Sequence, residues 1–317
     1  MGLRRWGILL GCAAVLAVTT ACTASYREDR AEERFPPEGR FLDVNGIQVH
    51  YVTKGQGPDI VLIHGASGNL RDFTFSLVDK LAGHYRVTAF DRPGLGYTDR
   101  INPDGTTIIQ QANLLADAAD RLGLSKPVVL GHSYGGAVAL AWAVERRNEL
   151  SALVLLAAAS NPWDSDLSLF YKVTSSDLGA ATVVPAITAL TPNAIVQEAI
   201  DGVFAPQEPP AGYDDHIGAP LTLRRESMRA NAMQRANLLG EITDLYTQYG
   251  KIDVPTEIVH GDADTTVGLS IHSIPLSRQI KGANLTVLEG VGHMPHHVAE
   301  PQVIDAIDRA ARRAGLR

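Results

Sequence analysis

Cysteine is almost absent from this 317-residue chain, and both copies, Cys12 and Cys22, lie within the first 22 residues. The rest of the chain therefore offers no disulfide framework, no cysteine ligands for zinc and no thiol nucleophile. Basic charge is also scarce, with 28 Lys and Arg against 35 Asp and Glu and a formal net charge of -7. No window interleaves basic and aromatic residues, so we expect no nucleic-acid partner.

Long apolar runs are rare too, and the main one is N-terminal. Residues 1–22 combine Arg4 and Arg5 with an apolar stretch over 6–18 and then small residues, which is the pattern of a secretory signal peptide. The apolar stretch is shorter than the ~20 residues that a membrane-spanning helix needs. The pattern therefore favours a cleaved leader, with a retained N-terminal anchor as the alternative.

The end of this leader resembles a bacterial lipobox. Residues 19–22 read TTAC, and the resemblance implies cleavage before Cys22 and lipidation of that cysteine, although Thr19 stands where an aliphatic residue is usual. We therefore expect an exported protein of the bacterial cell envelope, lipid-anchored to a membrane or periplasmic. Residues 23–39 are charged and poor in apolar side chains, which predicts a flexible, solvated tether.

From residue 40 onward, short apolar runs alternate with amphipathic helical patterns. An Asn45-Gly46 pair within alternating residues predicts a β-hairpin. The alternation of strands and helices predicts an α/β fold with a mostly parallel sheet and helices on both faces. Residues 160–250 break this rhythm with helical patterns, several prolines and no convincing strand. They are predicted to be a helical cap inserted between two parts of one core, 40–159 and 251–317.

Three residues with reactive side chains follow predicted strands in the order Ser, Asp, His. Ser133 lies in GHSYGG, where glycines would permit a sharp strand-to-helix turn that exposes its hydroxyl. Asp264 lies in GDADTTV and His293 in GVGHMP. An imidazole can deprotonate a serine, and a carboxylate can orient the imidazole, so this order predicts a catalytic triad. His64 and Asp91 also follow strands, and we interpret them as loop organisers.

The motifs HGASG, FDRPGLGYTD, GHSYGG, GDADTTV and GVGHMPHHVAEP together resemble a capped α/β-hydrolase, from about residue 40 to the C-terminus. The resemblance implies an eight-stranded type of sheet and selects Asp264 rather than Asp262 as the triad acid. Some relatives carry the acid nearer Asn161 or Asp164, which stays an alternative. The resemblance also implies an oxyanion hole made by the backbone N–H groups of Ala66 and Tyr134.

The identity of the nucleophile narrows the range of reactions that the site could catalyse. Relatives that open epoxides or displace halide carry an aspartate at this turn, whereas Ser133 indicates a carbonyl substrate and an acyl-enzyme. We therefore predict a serine hydrolase, a carboxylesterase acting on a small-molecule ester without a cofactor. A carbon-carbon bond hydrolase and a non-catalytic binding protein on the same scaffold remain alternatives. His296 and His297 follow His293 closely, but no carboxylate motif accompanies them, so no metal site is predicted.

Overall fold

The computed structural model describes the backbone of residues 2–317, with the side chains of residue 6 and of residues 11–317. Within this range eight strands form one sheet in the order β1-β2-β4-β3-β5-β6-β7-β8. The strands are β1 Arg40–Val44, β2 Ile47–Lys54, β3 Asp59–Ile63, β4 Arg86–Phe90, β5 Val128–His132, β6 Ala152–Leu156, β7 Thr256–Gly261 and β8 Asn284–Leu288. All pairings are parallel except those of β2 with β1 and β4, which confirms the predicted α/β fold and its mostly parallel sheet.

The β1–β2 hairpin turns at Asn45 and Gly46, as predicted. Both residues have positive φ, 57° and 87°, which is the conformation that a tight two-residue hairpin turn requires. The central strands β3, β5 and β6 are buried along their whole length and are nearly continuously apolar. Helices on both faces exclude water from such strands, so no polar alternation is needed.

The helices of the core lie on both sides of this sheet. They are α2 Arg71–Thr74, α3 Leu77–Leu81, α4 Ile108–Arg121, α5 Tyr134–Glu145, α12 Ser273–Gln279, α13 Pro295–Val298 and α14 Glu300–Arg313. One apolar cluster joins α4 and α5 to one face, and a second joins α3 and α14 to the other. Trp142 of α5 and Ile307 of α14 are buried in these clusters. The sheet is thereby held rigid between two apolar layers.

Between β6 and β7 the described chain forms six α-helices, a short 3-10 helix over Tyr246–Lys251 and no strand. The α-helices are α6 Leu169–Thr174, α7 Asp177–Leu190, α8 Asn193–Phe204, α9 Tyr213–Ile217, α10 Ala219–Thr222 and α11 Arg225–Leu245. We refer to residues 160–250 as the cap. Among the described residues, no single helix has the length and composition that spanning a membrane requires. Helices α7 and α8 meet the criterion only together, as a pair bent by 97°.

The predicted tether is wrong for residues 23–34, which are helical. Helix α1 runs unbroken from Gly2 to Arg34 and lies against α7 and α10 of the cap. Ala24, Ala31 and Phe35 share one face of this segment and are buried. The tether prediction depended on the charged side chains of this segment. Two of them, Glu28 and Glu32, form ion pairs with arginines of the cap. The side chains of Arg4 and Arg5 lie outside the described residues.

Candidate active site

Ser133 occupies a strained turn between β5 and α5. Its φ of 54° and ψ of -118° are unusual for a residue with a side chain. The geometry requires glycines around it, because a Cβ on Gly131 would lie 2.2 Å from the carbonyl oxygen of Gly135, and one on Gly135 would lie 2.1 Å from that of Ile63. The predicted strand-to-helix turn is therefore present, and it holds the hydroxyl at the carboxyl end of the sheet.

Two further loops at this edge of the sheet bring His293 and Asp264 to the serine. The His293 Nε2 atom lies 2.9 Å from Ser133 Oγ, and its Nδ1 atom lies 2.7 Å from Asp264 Oδ2. Asp264 follows β7 and His293 follows β8, so parallel strands place both loops beside the turn after β5. The three residues, separated by up to 160 positions, form one hydrogen-bonded chain that can pass a proton from hydroxyl to imidazole.

Asp264 is held as a carboxylate. Its Oδ1 accepts hydrogen bonds from the backbone N–H groups of Thr266 and Val267, and Oδ2 also lies 3.1 Å from His260 Nε2. Burial raises the pKa of the Asp264 carboxyl, but the hydrogen bonds from His260 and His293 outweigh it and hold the pKa well below its ordinary value. A fixed negative charge at this point keeps a proton on His293 Nδ1 and leaves Nε2 to act as the base.

The loop after β3 places Ala66 beside the nucleophile. Its neighbour Gly65 packs so closely that a Cβ there would lie 3.2 Å from Ser133 Cβ. Tyr134 is the first residue of α5, where a backbone N–H has no partner within the helix. The hydrogen bonds of residues 2–317 likewise include none donated by the amide of Ala66. Both predicted oxyanion donors thus lie in the segments that flank Ser133.

Arg92 stabilises this loop, a role that sequence reasoning missed. Its buried guanidinium donates to the carbonyl oxygens of His64 and Gly65, at 2.9 and 3.0 Å, and lies over the Tyr134 ring. Burial lowers the pKa of Arg92 to about 10, so it stays charged at neutral pH. An arginine directly after the strand-end Asp91 was the available signal. Arg92 therefore fixes both segments that carry the oxyanion donors.

The structure separates the alternatives for the triad acid. Asp262 accepts a hydrogen bond from the amide of Gly290 and is exposed. Asn161 bonds the carbonyl oxygen of His272, and Asp164 is exposed. Of these candidates and Asp264, only Asp264 bonds the imidazole of His293 in the described chain.

The two loop organisers behave as expected. His64 Nε2 accepts a hydrogen bond from the Arg92 amide. Asp91 accepts hydrogen bonds from the amides of Leu70 and Tyr97. Both side chains therefore fix the shape of loops at the strand ends and make no contact with the Ser133 hydroxyl.

A second buried carboxylate lies behind the triad, and sequence reasoning missed it. Asp72 Oδ1 lies 2.9 Å from the Tyr213 hydroxyl and 2.8 Å from His297 Nε2, while Oδ2 lies 3.0 Å from His296 Nε2. The ligand atoms of Asp72, His132 and His296 all lie within 4.8 Å of one another. Because an ionised carboxylate only accepts, these three contacts satisfy it as a hydrogen-bonded anion. We call Asp72, Tyr213, His296 and His297 the Asp72 cluster.

The cap lies directly over the loop that carries His293. Gly292 packs against the carbonyl oxygen of Ala205, at the end of α8, and its amide donates to the Gln207 side chain at 2.9 Å. Ser133 is only 8% exposed and His293 only 3%. A groove of about 540 Å³ between α1 and α10 includes no triad residue in its lining. The serine and the histidine of the triad are therefore almost completely shielded from solvent.

Comparison with known proteins agrees with this geometry. The model of the alpha/beta hydrolase family matches residues 60–306. A stretch of 130 residues, 41% of this chain, is 39% identical to part of a dihydrolipoyllysine-residue acetyltransferase component of the acetoin cleaving system from Cupriavidus necator. The match spans about a third of that relative, 34% of its length.

Two further matches extend over most of the chain. An uncharacterized protein of Mycobacterium tuberculosis is 26% identical over 286 residues, which cover 86% of this chain and 81% of that protein. A crystal structure of an alpha/beta hydrolase fold protein from Burkholderia ambifaria superimposes with a TM-score of 0.70 at 25% identity, covering 86% of this chain and 97% of the other. The family-model match over residues 60–306 includes strands β3 to β8, the cap and the three triad residues.

Proposed function

Because the chain belongs to the alpha/beta hydrolase family, we propose that it is a serine hydrolase that cleaves a carboxylic ester through an acyl-enzyme. The observation that carries the proposal is the hydrogen-bonded chain from Ser133 through His293 to Asp264. A serine at this strained turn favours attack on a carbonyl carbon. The described residues of the site supply every proton-transfer group that this reaction uses, so the proposed reaction needs no cofactor.

In the proposed reaction, Ser133 Oγ attacks the ester carbonyl while His293 Nε2 takes the hydroxyl proton. The N–H groups of Ala66 and Tyr134 stabilise the resulting oxyanion. His293 then returns the proton to the leaving alcohol as the carbon-oxygen bond breaks, which leaves an acyl group on Ser133. A water molecule, deprotonated by His293, attacks this acyl-enzyme, and the carboxylic acid leaves as the serine regains its proton.

The test is hydrolysis of p-nitrophenyl acetate and butyrate by the wild type and by Ser133→Ala, together with labelling by a fluorophosphonate. We expect turnover and labelling of the wild type only, with the melting temperature unchanged in the variant. Labelling without ester turnover would favour another acyl substrate. Neither turnover nor labelling across acyl lengths would contradict the proposal and favour a binding protein.

We also propose that the protein is exported and held in the bacterial cell envelope by lipid on Cys22. Support comes from the leader pattern in residues 1–22 and from the exposure of Cys22 on α1. Intact-mass measurement of protein extracted from membranes tests this. A species that begins at Cys22 with added diacylglycerol, and an unprocessed Cys22→Ser variant, are expected. Protein that begins at Met1, with Cys22→Ser behaving identically, would contradict lipidation.

A further inference from the structure

The attachment of α1 to the cap fixes where an N-terminal anchor leaves the enzyme. Arg27 donates hydrogen bonds to the carbonyl oxygens of Ala189 and Thr191, at the end of α7, at 3.1 and 2.7 Å. These oxygens lie in the last turn of a helix, where carbonyl groups lack partners and attract positive charge. The contact therefore ties the part of α1 that follows the leader to the cap.

An ion pair strengthens the same contact. Arg225, at the start of α11, reaches Glu28 through both Nε and Nη2, at 2.9 and 2.7 Å. Burial raises the pKa of the Glu28 carboxyl, but the hydrogen bonds and charge of Arg225 outweigh it and place the pKa below its ordinary value. Paired arginine donors set the orientation of the carboxylate as well as its position. The last three turns of α1 are thus fixed against two cap helices.

The described side chains in the preceding part of α1 are mostly apolar and exposed. The sequence from 6 to 18 is WGILLGCAAVLAV, and over residues 11–19 every side chain is exposed. Val15, Leu16 and Val18 are each more than 60% exposed. A helix that is apolar on all sides is stable only in apolar surroundings, and the described chain supplies none here. Lipid is the surrounding that this composition fits.

The cap also carries exposed apolar side chains. Leu178 and Leu190 of α7, the helix that α1 contacts, are 76% and 69% exposed, and Leu169 and Phe170 of α6 are also exposed. Cys22 lies two residues, or about 3 Å along the helix axis, before the buried Ala24. A lipid on Cys22 and a retained apolar leader therefore both start at the cap surface.

From these contacts we propose that α1 docks the cap onto a lipid bilayer, so that the active site takes its ester from the membrane: an acyl ester of an amphipathic lipid. The proposal rests on the proposed esterase function. The cap packs on the loop that carries His293, so α1 would hold the part of the enzyme next to the triad against the source of substrate. An acyl chain would then pass from lipid to site with little exposure to water.

The test compares one long-chain ester, p-nitrophenyl palmitate in phosphatidylcholine and phosphatidylglycerol vesicles, with soluble p-nitrophenyl butyrate. The measured quantity is the ratio of the two rates for full-length protein reconstituted in those vesicles. Arg225→Glu places two like charges at the α1 contact while leaving the anchor intact. We expect it to lower the ratio at least about tenfold with vesicle flotation unchanged, and the exchange Glu28→Arg with Arg225→Glu to restore the ratio.

Leu178→Glu places a charge on an exposed apolar residue of the cap, and Val287→Glu on β8 is the matched exposed control. We expect Leu178→Glu to lower the ratio and Val287→Glu to leave it unchanged. An unchanged ratio in both Arg225→Glu and Leu178→Glu would overturn docking of the cap. Loss of the soluble-ester rate in wild type would instead reject the esterase function, so the two failures are distinguishable.

Discussion

Asp264 and Asp72 are buried carboxylates that contact histidines, as Asp91 contacts His50, but among these described residues only Asp264 is linked through a histidine to the Ser133 hydroxyl. Asp264 bonds His293 Nδ1 at 2.7 Å, and the opposite nitrogen of that ring meets Ser133 Oγ. Asp72 bonds His296 and His297 at similar distances, but the opposite nitrogens of both rings contact no hydrogen-bonding partner among the described residues. An aspartate–histidine contact can therefore act in this catalysis only when the second ring nitrogen of the histidine lies next to a hydroxyl that it can deprotonate.

The hydroxyl groups differ as well. Ser133 lies on a strained turn at the carboxyl end of the sheet, whereas Tyr213 comes from α9 of the cap and donates directly to Asp72. Burial, together with the charge of Asp72, raises the pKa of the Tyr213 hydroxyl well above its ordinary value, so it stays protonated. The Asp72 cluster consequently joins the cap to the core, while the Ser133 chain is arranged for proton transfer.

The sharpest test of this comparison removes one histidine from each group. His293→Ala should lower kcat for p-nitrophenyl butyrate by about 10⁴-fold or more, because the serine loses its base. His296→Ala should leave kcat within about tenfold, since its ring does not reach the nucleophile. Steady-state kinetics measure both effects, and melting temperatures show whether the variants are folded. Equal losses in two folded variants would show that both histidines act in catalysis.

A smaller effect is expected from neutralising each carboxylate. Asp264→Asn should lower kcat by up to about 10⁴-fold with a modest change in stability, because the amide favours the wrong imidazole tautomer. Asp72→Asn should instead cost about 1–3 kcal/mol of stability, since its amide group would face donors from Tyr213 or His297. Thermal unfolding and kinetics measured on the same samples check both. An inactive Asp72→Asn with unchanged unfolding would contradict the structural role.

The smallest effect is the pH dependence. Burial lowers the pKa of His132 and His296, which disfavours protonation of both rings, and the depressed pKa of Asp264 keeps it ionised from pH 5 to 8. We expect kcat/KM to fall as the pH is lowered from 8 to 5, because the proposed reaction needs an unprotonated imidazole as its base. A rate that is flat from pH 5 to 8 would exclude an imidazole base.

Much of the site could be predicted because local sequence fixes it. Glycines around Ser133 have no substitute where a Cβ would overlap backbone atoms, so GHSYGG marks the turn directly. Asp264 and His293 follow buried strands, and parallel topology brings strand ends together. Asp72 and Arg92 escaped notice because their partners are remote: Tyr213 lies 141 positions from Asp72, and Gln234 lies 142 from Arg92. A single side chain outside any periodic pattern gives no sequence signal for a partner that is distant along the chain.

The sequence by itself therefore determined the α/β fold and the order of the reactive residues, because apolar periodicity and glycine geometry act over a few residues. Only the tertiary structure decided the course of residues 23–34. Their charges are typical of a solvated tether, yet Arg27 and Glu28 meet partners on α7 and α11 that no local pattern reveals. A charged side chain stays in water or pairs with a neighbouring helix according to which groups lie opposite it. The fold determines which groups those are.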